Sequence, residues 1–369
     1  MRNKFDAKKN LRPVIFNLHQ YTAGLSIGEI VVKYNLEPKS ILKLGSNENV
    51  LGSSLKAKIA ATLALEKVNL YPEVTSRELA SKIKRIYKLK NTEVVVGNGM
   101  DHIFEMIARL FLDNGDETII STPTFSCYEL CTLWAGGKPR LIPLTKDTYQ
   151  LDVKKILKAI NKKTKIIFIC SPNNPTGNLM NLKDIETIVK STDKIVYLDE
   201  AYIEFGGKTL VNWVEKYPHL IVGRTFSKLY GLAGYRVGYA FVHKNLAKYY
   251  LNSITPFVVS RPGQAAAIAA LDDINFISKT IKMVSEGKEF YYKNFTKAGI
   301  KFLPTDANFI ALDCFPLKAK EITNKLLKKG IIIRECSSFG KGGEYLLRIT
   351  IGTKEQNQRV LNLLTEYMS

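Results

Sequence analysis

The stretch that decides the fold runs from Asp199 to Arg236. It contains Asp199-Glu200-Ala201-Tyr202, then Thr225-Phe226-Ser227-Lys228, then Gly234-Tyr235-Arg236. An acid, a tyrosine, a lysine and an arginine follow in this order, each near the end of a short apolar run. Such runs indicate buried strands, and the space past the carboxyl ends of parallel strands is where α/β sheets bind ligands. The stretch therefore predicts a fold class and a site together.

These four side chains are the groups that the chemistry of pyridoxal 5′-phosphate (PLP) requires. Lys228 would form the Schiff base, and Asp199 would keep the pyridine nitrogen protonated so that the ring accepts electrons from the substrate's Cα. Arg236 would hold the phosphate through two hydrogen bonds. Each motif alone could be a surface turn, but the whole set in this order predicts a PLP enzyme.

Lys228 is the candidate nucleophile and the candidate carrier of the substrate's Cα proton. Its amine must be deprotonated to react, so we expect surroundings that lower its pKa. Tyr202 and Asn174, the latter from the upstream run Ser171 to Gly177, are candidates for hydrogen bonds to the ring's phenolic oxygen. Asn174 could also face the substrate. Taken alone, Tyr202 would be interpreted as a packed aromatic side chain.

Three further segments complete the predicted cofactor site. Gly99, Met100 and Asp101 open a helix after a strand, so their backbone N–H groups could meet the phosphate at the helix N-terminus. Ser227 could add a hydroxyl to the same group. Phe125 could stack on the pyridine ring, or it could equally be a core aromatic residue.

The composition excludes several other classes of protein. The chain has 369 residues, 46% of them hydrophobic, and no apolar stretch reaches the roughly 20 residues of a membrane span. The net charge of +20 comes from lysines scattered along the chain, with no basic tail or aromatic-interleaved basic stripe. We therefore expect no nucleic-acid or membrane partner. The charge could still attract anionic, phosphorylated substrates.

The cysteines and histidines also limit the function. The five cysteines are an odd number without a CxxC pair, which is typical of free thiols in a reducing cytoplasm. The polar N-terminus lacks the apolar core of a signal peptide. The four histidines are far apart in the sequence, so we expect no metal site.

Short apolar runs alternate with helix-period segments along most of the chain. The runs 94–96, 118–121, 165–170, 194–198, 220–223 and 237–242 are predicted strands. They predict an α/β fold with a large, mostly parallel sheet covered on both faces. The runs 309–312, 331–334 and 345–349 predict a smaller α/β domain. We expect a large PLP-binding domain over 46–280, a small domain over 281–369, and an N-terminal segment, 1–45, that packs on the small domain.

The chain resembles the fold-type I PLP aminotransferases and, within them, the histidinol-phosphate aminotransferase family. The resemblance covers nearly the whole chain. It rests on Tyr21 to Gly24, Gly45 to Asn49, Tyr71-Pro72-Glu73, Gly97-Asn98-Gly99, Pro123 to Ser126, Ser171 to Gly177, Asp199 to Tyr202, Arg224 to Lys228, Gly231 to Gly234 and Leu347 to Thr350.

The resemblance implies a role in histidine biosynthesis and a homodimer with active sites at the subunit interface. Tyr71 would reach the PLP phosphate of the partner subunit. Arg348 would take the anionic end of either substrate, Arg334 would assist it, and Tyr21 would line the substrate pocket. Glutamate and 2-oxoglutarate would form one substrate pair, and histidinol phosphate with imidazole acetol phosphate the other.

The sequence departs from the family pattern at three places, none of which is a predicted PLP anchor. Val50 stands where a proline is expected, His102 where a second acid is expected, and Pro256 to Ser260 lacks two expected asparagines. The alternatives are therefore an aminotransferase for another phosphorylated amine or for an aromatic amino acid, and a PLP-dependent decarboxylase of a phosphorylated amino acid. A non-catalytic binding protein is disfavoured because Lys228, Asp199 and Arg236 are all present.

Overall fold

The computed structural model describes residues 6–18 and 24–368. The strands are β1 Leu42–Lys43, β2 Thr92–Asn98, β3 Glu117–Thr122, β4 Lys138–Pro143, β5 Thr164–Cys170, β6 Ile195–Asp199, β7 Leu220–Thr225, β8 Val237–His243, β9 Phe302–Leu303, β10 Phe309–Asp313, β11 Ile331–Ile332, β12 Arg334–Glu335 and β13 Leu346–Thr350. The helices are α1 Ala7–Asn10, α2 Ile27–Tyr34, α3 Leu55–Ala64, α4 Arg77–Tyr87, α5 Gly99–Phe111, α6 Cys127–Trp134, α7 Val153–Ala159, α8 Leu182–Lys190, α9 Lys244–Ser253, α10 Arg261–Ala270, α11 Ile274–Ala298, α12 Ala319–Lys328 and α13 Lys354–Met368.

The largest sheet has seven strands in the order β2-β8-β7-β6-β5-β3-β4. The neighbours from β7 to β4 run parallel, whereas β8 is antiparallel to both β7 and β2. The sheet is thus mostly parallel, as the sequence predicts. The antiparallel direction of β8 was not predicted, because an apolar run carries no signal for strand direction.

Both faces of the sheet are buried. Along β5, Ile167 and Ile169 pack into one hydrophobic cluster, while Ile166 and Phe168 pack into another on the opposite face. A strand alternates its side chains between two faces, so a run that is apolar at every position needs helices on both sides. The prediction of a sheet covered on both faces is confirmed.

Two smaller sheets are built mostly from strands of the C-terminal part of the chain. One has the order β12-β13-β10-β9, and β13 is antiparallel to both β12 and β10. In the other, β1 pairs in parallel with β11. The single strand predicted over 331–334 was wrong, because this run divides into β11 and β12, which belong to different sheets.

The edge strand β4 was not predicted. Most of its side chains are exposed or only partly buried, and it contains two prolines. Its sequence therefore lacks the continuous apolar run that marks the inner strands, and proline is tolerated at a sheet edge.

Two further features concern the cysteine side chains and the apolar character of the helices. The five cysteines are free, and four of them are buried. Within the described ranges, no helix combines the length and the apolar character required to cross a membrane.

Candidate active site

A cavity of about 400 Å³ opens past the carboxyl ends of β5, β6 and β7. Most of the predicted site residues line it, and they come from both the large sheet and the C-terminal strands. The lining includes Met100, Asp101, Phe125, Asn174, Asp199, Tyr202, Ser227, Lys228, Arg236, Arg334 and Arg348. The fold thus gathers residues that are up to 248 positions apart in the chain.

Asp199, the last residue of β6, is the buried acid of the cavity. Its side chain accepts hydrogen bonds from the Tyr128 hydroxyl (2.6 Å) and from the backbone N–H of Ala201 (2.9 Å). Burial nevertheless raises the pKa of Asp199 to about 6, since the low-dielectric surroundings disfavour its charge. A nearby cationic ligand would restore the ionised form.

Lys228 lies in the turn after β7. Its Nζ donates to the backbone carbonyl of Ser46 (3.1 Å) and lies 5.6 Å from the centre of the Tyr202 ring. Burial lowers the pKa of Lys228 to about 8, and the positive charge of Arg348 adds to this effect. A lysine of this kind is roughly one-tenth neutral at pH 7, far more than an ordinary lysine, and the neutral amine is the form that reacts.

The segment predicted to hold a phosphate adjoins this lysine. Gly99 has a positive φ of +77° at the start of α5, and a Cβ atom there would collide with the guanidinium of Arg236. Arg236 donates to Asp101 (2.8 Å), with the two side chains 43% and 53% exposed, so Asp101 orients the arginine and does not cap α5. Ser227 is buried in the cavity wall. This arrangement leaves backbone and guanidinium N–H groups beside one small space.

Tyr202 is held by a residue to which the sequence analysis gave no role. The Asn47 side-chain amide donates to the Tyr202 hydroxyl (3.1 Å), and both side chains are buried. Asn47 lies in the segment Gly45 to Asn49, which was recognised only as part of the family pattern. Phe125 lines the cavity and packs edge-on against Tyr128, with ring centres 5.8 Å apart.

Arg334 and Arg348 lie opposite each other on the antiparallel strands β12 and β13. Both are buried, at 8% and 5% exposure. Arg348 donates to the side-chain oxygen of Asn174 and to the Gly45 carbonyl (2.7 Å), and Arg334 donates to the Ser338 hydroxyl (2.9 Å). Two buried guanidinium groups on one face of a sheet form a site for an anion.

Two predicted residues are not placed in this cavity. Tyr71 is 78% exposed and stacks on Phe257, with ring centres 4.6 Å apart. Tyr21 lies outside the described residues. Tyr128 and Phe339 contact the site but were not predicted. Tyr128 could have been found three residues after Phe125 on the next helix, whereas Phe339 carries no signal in the sequence.

These residues fit PLP. The carboxyl of Asp199 is buried where a pyridinium nitrogen would lower its pKa, and Lys228 has the lowered pKa that Schiff-base chemistry requires. The missing Cβ of Gly99 lets the Arg236 guanidinium lie against the start of α5, where backbone N–H groups could also meet a phosphate. Within the described ranges there is no group of three or more potential metal ligands.

Comparison with known proteins agrees with this geometry. The family described as aminotransferase class I and II matches residues 39–364. The histidinol-phosphate aminotransferase of Methanosarcina mazei is 44% identical over 95% of this chain and 95% of its own length. That of Methanocaldococcus jannaschii is 37% identical over 98% of both chains.

Solved structures show the same fold. The histidinol-phosphate aminotransferase of Sinorhizobium meliloti, solved with pyridoxal 5′-phosphate, superposes with a TM-score of 0.87 over 97% of both chains, at 23% identity. The enzyme from Clostridium acetobutylicum gives a TM-score of 0.82 at 26% identity, covering 89% of this chain and 99% of its own. An aromatic aminotransferase of Pyrococcus horikoshii gives 0.76 at 26% identity, covering 93% and 99%.

Fold and site together define a PLP-dependent transaminase of the fold-type I class. Within the class I and II aminotransferases, the chain belongs to the histidinol-phosphate aminotransferase family. The predictions of fold class, cofactor and enzyme class are confirmed.

Proposed function

We propose that this enzyme transfers an amino group between glutamate and imidazole acetol phosphate, forming 2-oxoglutarate and histidinol phosphate in histidine biosynthesis. The observation that carries this proposal is the pair of buried arginines, Arg334 and Arg348, in the cavity of Lys228. One guanidinium suffices for a carboxylate, and two together suit a phosphate dianion. The names of relatives that are 37–44% identical support the same substrate.

The cofactor would be held at three points. Asp199 would hold the pyridine nitrogen, Tyr202 with Asn174 the phenolic oxygen, and Phe125 one face of the ring. Gly99, Met100, Asp101, Ser227 and Arg236 would surround the phosphate. The bound cofactor supplies an electron sink for the substrate's Cα and carries the amino group between the two half-reactions.

Lys228 would act as the acid and base of the reaction. Its pKa of about 8 lets Nζ accept a proton from the substrate's Cα and return it at the next step. The Ser46 carbonyl and the Tyr202 ring hold Nζ on one side of the cavity, which restricts the direction of proton transfer. The arginines meanwhile fix the substrate's anionic end, so that its Cα is presented to this amine.

We propose that residues 46–280 form the cofactor-binding domain and residues 281–369 the small domain, with residues 1–45 packed on the latter. The parallel pairing of β1 with β11 supports the placement of the N-terminal segment. In this division the large domain supplies the lysine and the acid, and the small domain supplies both substrate-binding arginines.

We also propose a homodimer in the cytoplasm. Leu55, Ile59 and Leu63 recur every four residues on α3 and are 52–68% exposed, which makes an apolar face on a helix. Leu65, Val68, Leu70 and Tyr71 extend this exposed surface. Such a continuous apolar surface is typical of an interface between subunits. Tyr71 could then reach the partner's phosphate site, and Tyr21 could complete the substrate pocket.

The segment Pro256 to Ser260 favours a second substrate class, the aromatic amino acids. In this segment Ser260 caps α10, Val259 is buried, and Phe257 stacks on Tyr71. The segment contains no asparagine or glutamine and therefore offers no side-chain amide to a substrate. An aromatic amino acid would need no such amide. The similarity to an aromatic aminotransferase at 26% identity points in the same direction.

The test is a single-turnover titration of the holoenzyme followed by absorbance. We expect glutamate and histidinol phosphate, added separately, each to convert the cofactor from its aldehyde form to its amine form. Lys228→Ala should bind the cofactor and convert with neither. Conversion by glutamate and phenylalanine but not by histidinol phosphate would replace the proposal with the aromatic alternative. Release of carbon dioxide without an amino acceptor would instead indicate a decarboxylase.

A further inference from the structure

Phe339 contacts both arginines of the anion site. It lies in the turn Ser337–Phe339 between β12 and β13, is 5% exposed and lines the cavity. The Cζ atom of Arg334 lies 5.3 Å from the centre of its ring, and the Cζ atom of Arg348 lies 5.4 Å from the same centre. Both distances are within the range of cation–π attraction.

The arrangement of these arginines needs such a contact. They are direct cross-strand partners, and like charges directly opposite each other in a sheet repel. Both are also buried, where repulsion is screened less than in water. An aromatic face attracts each guanidinium without neutralising its positive charge. Phe339 can therefore hold the pair together without cancelling its positive charge.

We propose that Phe339 is a positioning residue that sets the spacing of Arg334 and Arg348 and thereby favours phosphorylated over carboxylate substrates. The inference rests on the proposed function, because it assigns the arginine pair to the substrate phosphate. Phe339 would thus determine specificity without touching the substrate, because its uncharged ring positions the two arginines that bind the anion.

Phe339 is itself fixed from the cofactor side of the cavity. Its carbonyl accepts a hydrogen bond from the backbone N–H of Thr124 (3.0 Å). It packs with Cys336 and Leu346 in a small cluster against which Phe125 lies. The residue that positions the arginines is therefore joined to the residue predicted to stack on the cofactor ring, and the two ends of the cavity share one apolar support.

Loss of the ring should affect the two substrates unequally. Arg348 has other contacts that would remain, namely the Phe309 ring at 5.3 Å, the Gly45 carbonyl and the Asn174 side chain. A carboxylate that binds through Arg348 should therefore lose little. A phosphate that needs both guanidinium groups at a fixed spacing should lose more.

The experiment compares Phe339→Leu with Phe339→Tyr in the holoenzyme. Leucine preserves apolar volume but removes the aromatic face, whereas tyrosine preserves the face. We expect Phe339→Leu to raise the KM for histidinol phosphate about tenfold and that for glutamate less than about threefold. Phe339→Tyr should restore both values to within about threefold of the wild type. Equal losses for both substrates in Phe339→Leu, or a loss in Phe339→Tyr as large as in Phe339→Leu, would show a merely structural role and overturn the inference.

A binding measurement separates this inference from the proposed function. Methyl phosphate and acetate, titrated calorimetrically into the holoenzyme, report the anion site without any turnover. We expect Phe339→Leu to weaken methyl phosphate selectively, even if histidinol phosphate proves not to be the substrate. Unchanged affinity for methyl phosphate would overturn the inference. If the leucine variant does not fold, Phe339→Met gives the same readout with a more adaptable side chain.

Discussion

Asp199 and Glu200 are neighbouring acids with opposite surroundings. Both are buried, at 3% and 1% exposure, and both lie at the carboxyl end of β6. Burial raises the pKa of each. They differ in whether the protein supplies a cationic partner for the carboxylate. This difference separates a structural acid from a functional one.

Glu200 has a complete set of partners within the chain. Its oxygens accept from the Thr209 hydroxyl (2.5 Å), the Leu210 backbone N–H (2.7 Å) and Arg224 (3.4 Å). Arg224 also donates to Glu204 at 2.6 Å, and its side chain is 4% exposed. Two acids thus share one buried cation, so Glu200 has a cationic partner inside the fold.

Asp199 has hydrogen bonds but forms no ion pair with another described residue. The hydrogen bonds from Tyr128 and the Ala201 backbone lower its pKa, whereas burial raises it. Burial has the larger effect, and the resulting pKa is about 6. A buried acid kept partly protonated by its surroundings is poised for a cationic ligand, and a pyridinium nitrogen meets that need. The comparison teaches that the acid without a cationic partner marks the site, although both acids are buried.

Removing the charge of Asp199 should have the largest effect on catalysis. In Asp199→Asn the pyridine nitrogen loses its charged partner, so we expect kcat to fall about 10³-fold, or roughly 4 kcal/mol. Stability should not fall, because no ion pair is broken and a neutral amide avoids the cost of burying the charge. The measurement is single-turnover kinetics alongside thermal unfolding. Glu200→Gln is the matched control, and comparable kcat losses in the two variants would erase the distinction between the acids.

Removing the cation of the other acid should have the largest effect on stability. Arg224→Met leaves the buried Glu200 and the partly buried Glu204 without their shared partner, which should cost roughly 3–4 kcal/mol of unfolding free energy. The exposed pair of Arg109 with Glu105 on α5 gives the control, and Arg109→Met should change stability by less than about 1 kcal/mol. Denaturant unfolding measures both, and similar losses would mean that the buried network is no more important than a surface pair.

The inner strands could be predicted because every position in them is apolar. β5 and β6 are recognisable from their own residues, and the residues just past them then fall at the ligand edge of the sheet by geometry alone. This is why Asp199 and Lys228 could be placed in one site from the sequence. Their chemical roles stay predictions, which the variants described here test.

The contacts that organise the site could not be predicted, because they join distant segments. The hydrogen bond from Tyr128 to Asp199 spans 71 positions, and that from Asn47 to Tyr202 spans 155. The division of the run 331–334 into β11 and β12 was missed for the same reason. It depends on β1 and β13, which pair with these residues from opposite ends of the chain.

The pKa of Asp199 predicts a pH dependence of stability in the apoenzyme. The folded value of about 6 lies above the ordinary 3.8, so between these values the folded protein binds more protons than the unfolded chain. Stability from this group is therefore fully present below about pH 4 and is lost as pH rises through 6, on the order of 3 kcal/mol in all. The difference between wild-type and Asp199→Asn apoenzyme across pH 4–7 isolates this contribution. Parallel curves for the two proteins would contradict the shifted pKa.

The smallest predicted effect tests what the hydrogen bond from Tyr128 contributes to Asp199. The Tyr128 ring stacks on Phe168 with ring centres 5.0 Å apart, so Tyr128→Phe should retain its packing and lose the bond to Asp199 together with a contact to the Cys170 thiol. Without that donor the pKa of Asp199 should rise further, moving the pH window of apoenzyme stability upward. In the holoenzyme a more basic Asp199 should draw the proton away from the pyridine nitrogen.

We therefore expect kcat of Tyr128→Phe to fall by about tenfold, with KM nearly unchanged, since a hydrogen bond to a charged group contributes on the order of 1.5 kcal/mol at the low end of its range and about 1.4 kcal/mol corresponds to tenfold in rate. The control is Tyr250→Phe, because the buried Tyr250 hydroxyl has no hydrogen-bond partner among the described residues. If Tyr128→Phe behaves like this control in both the pH window and kcat, the Tyr128 hydroxyl does not tune Asp199. The contrast with Glu200 would then rest on the ion pair of Glu200 with Arg224 alone.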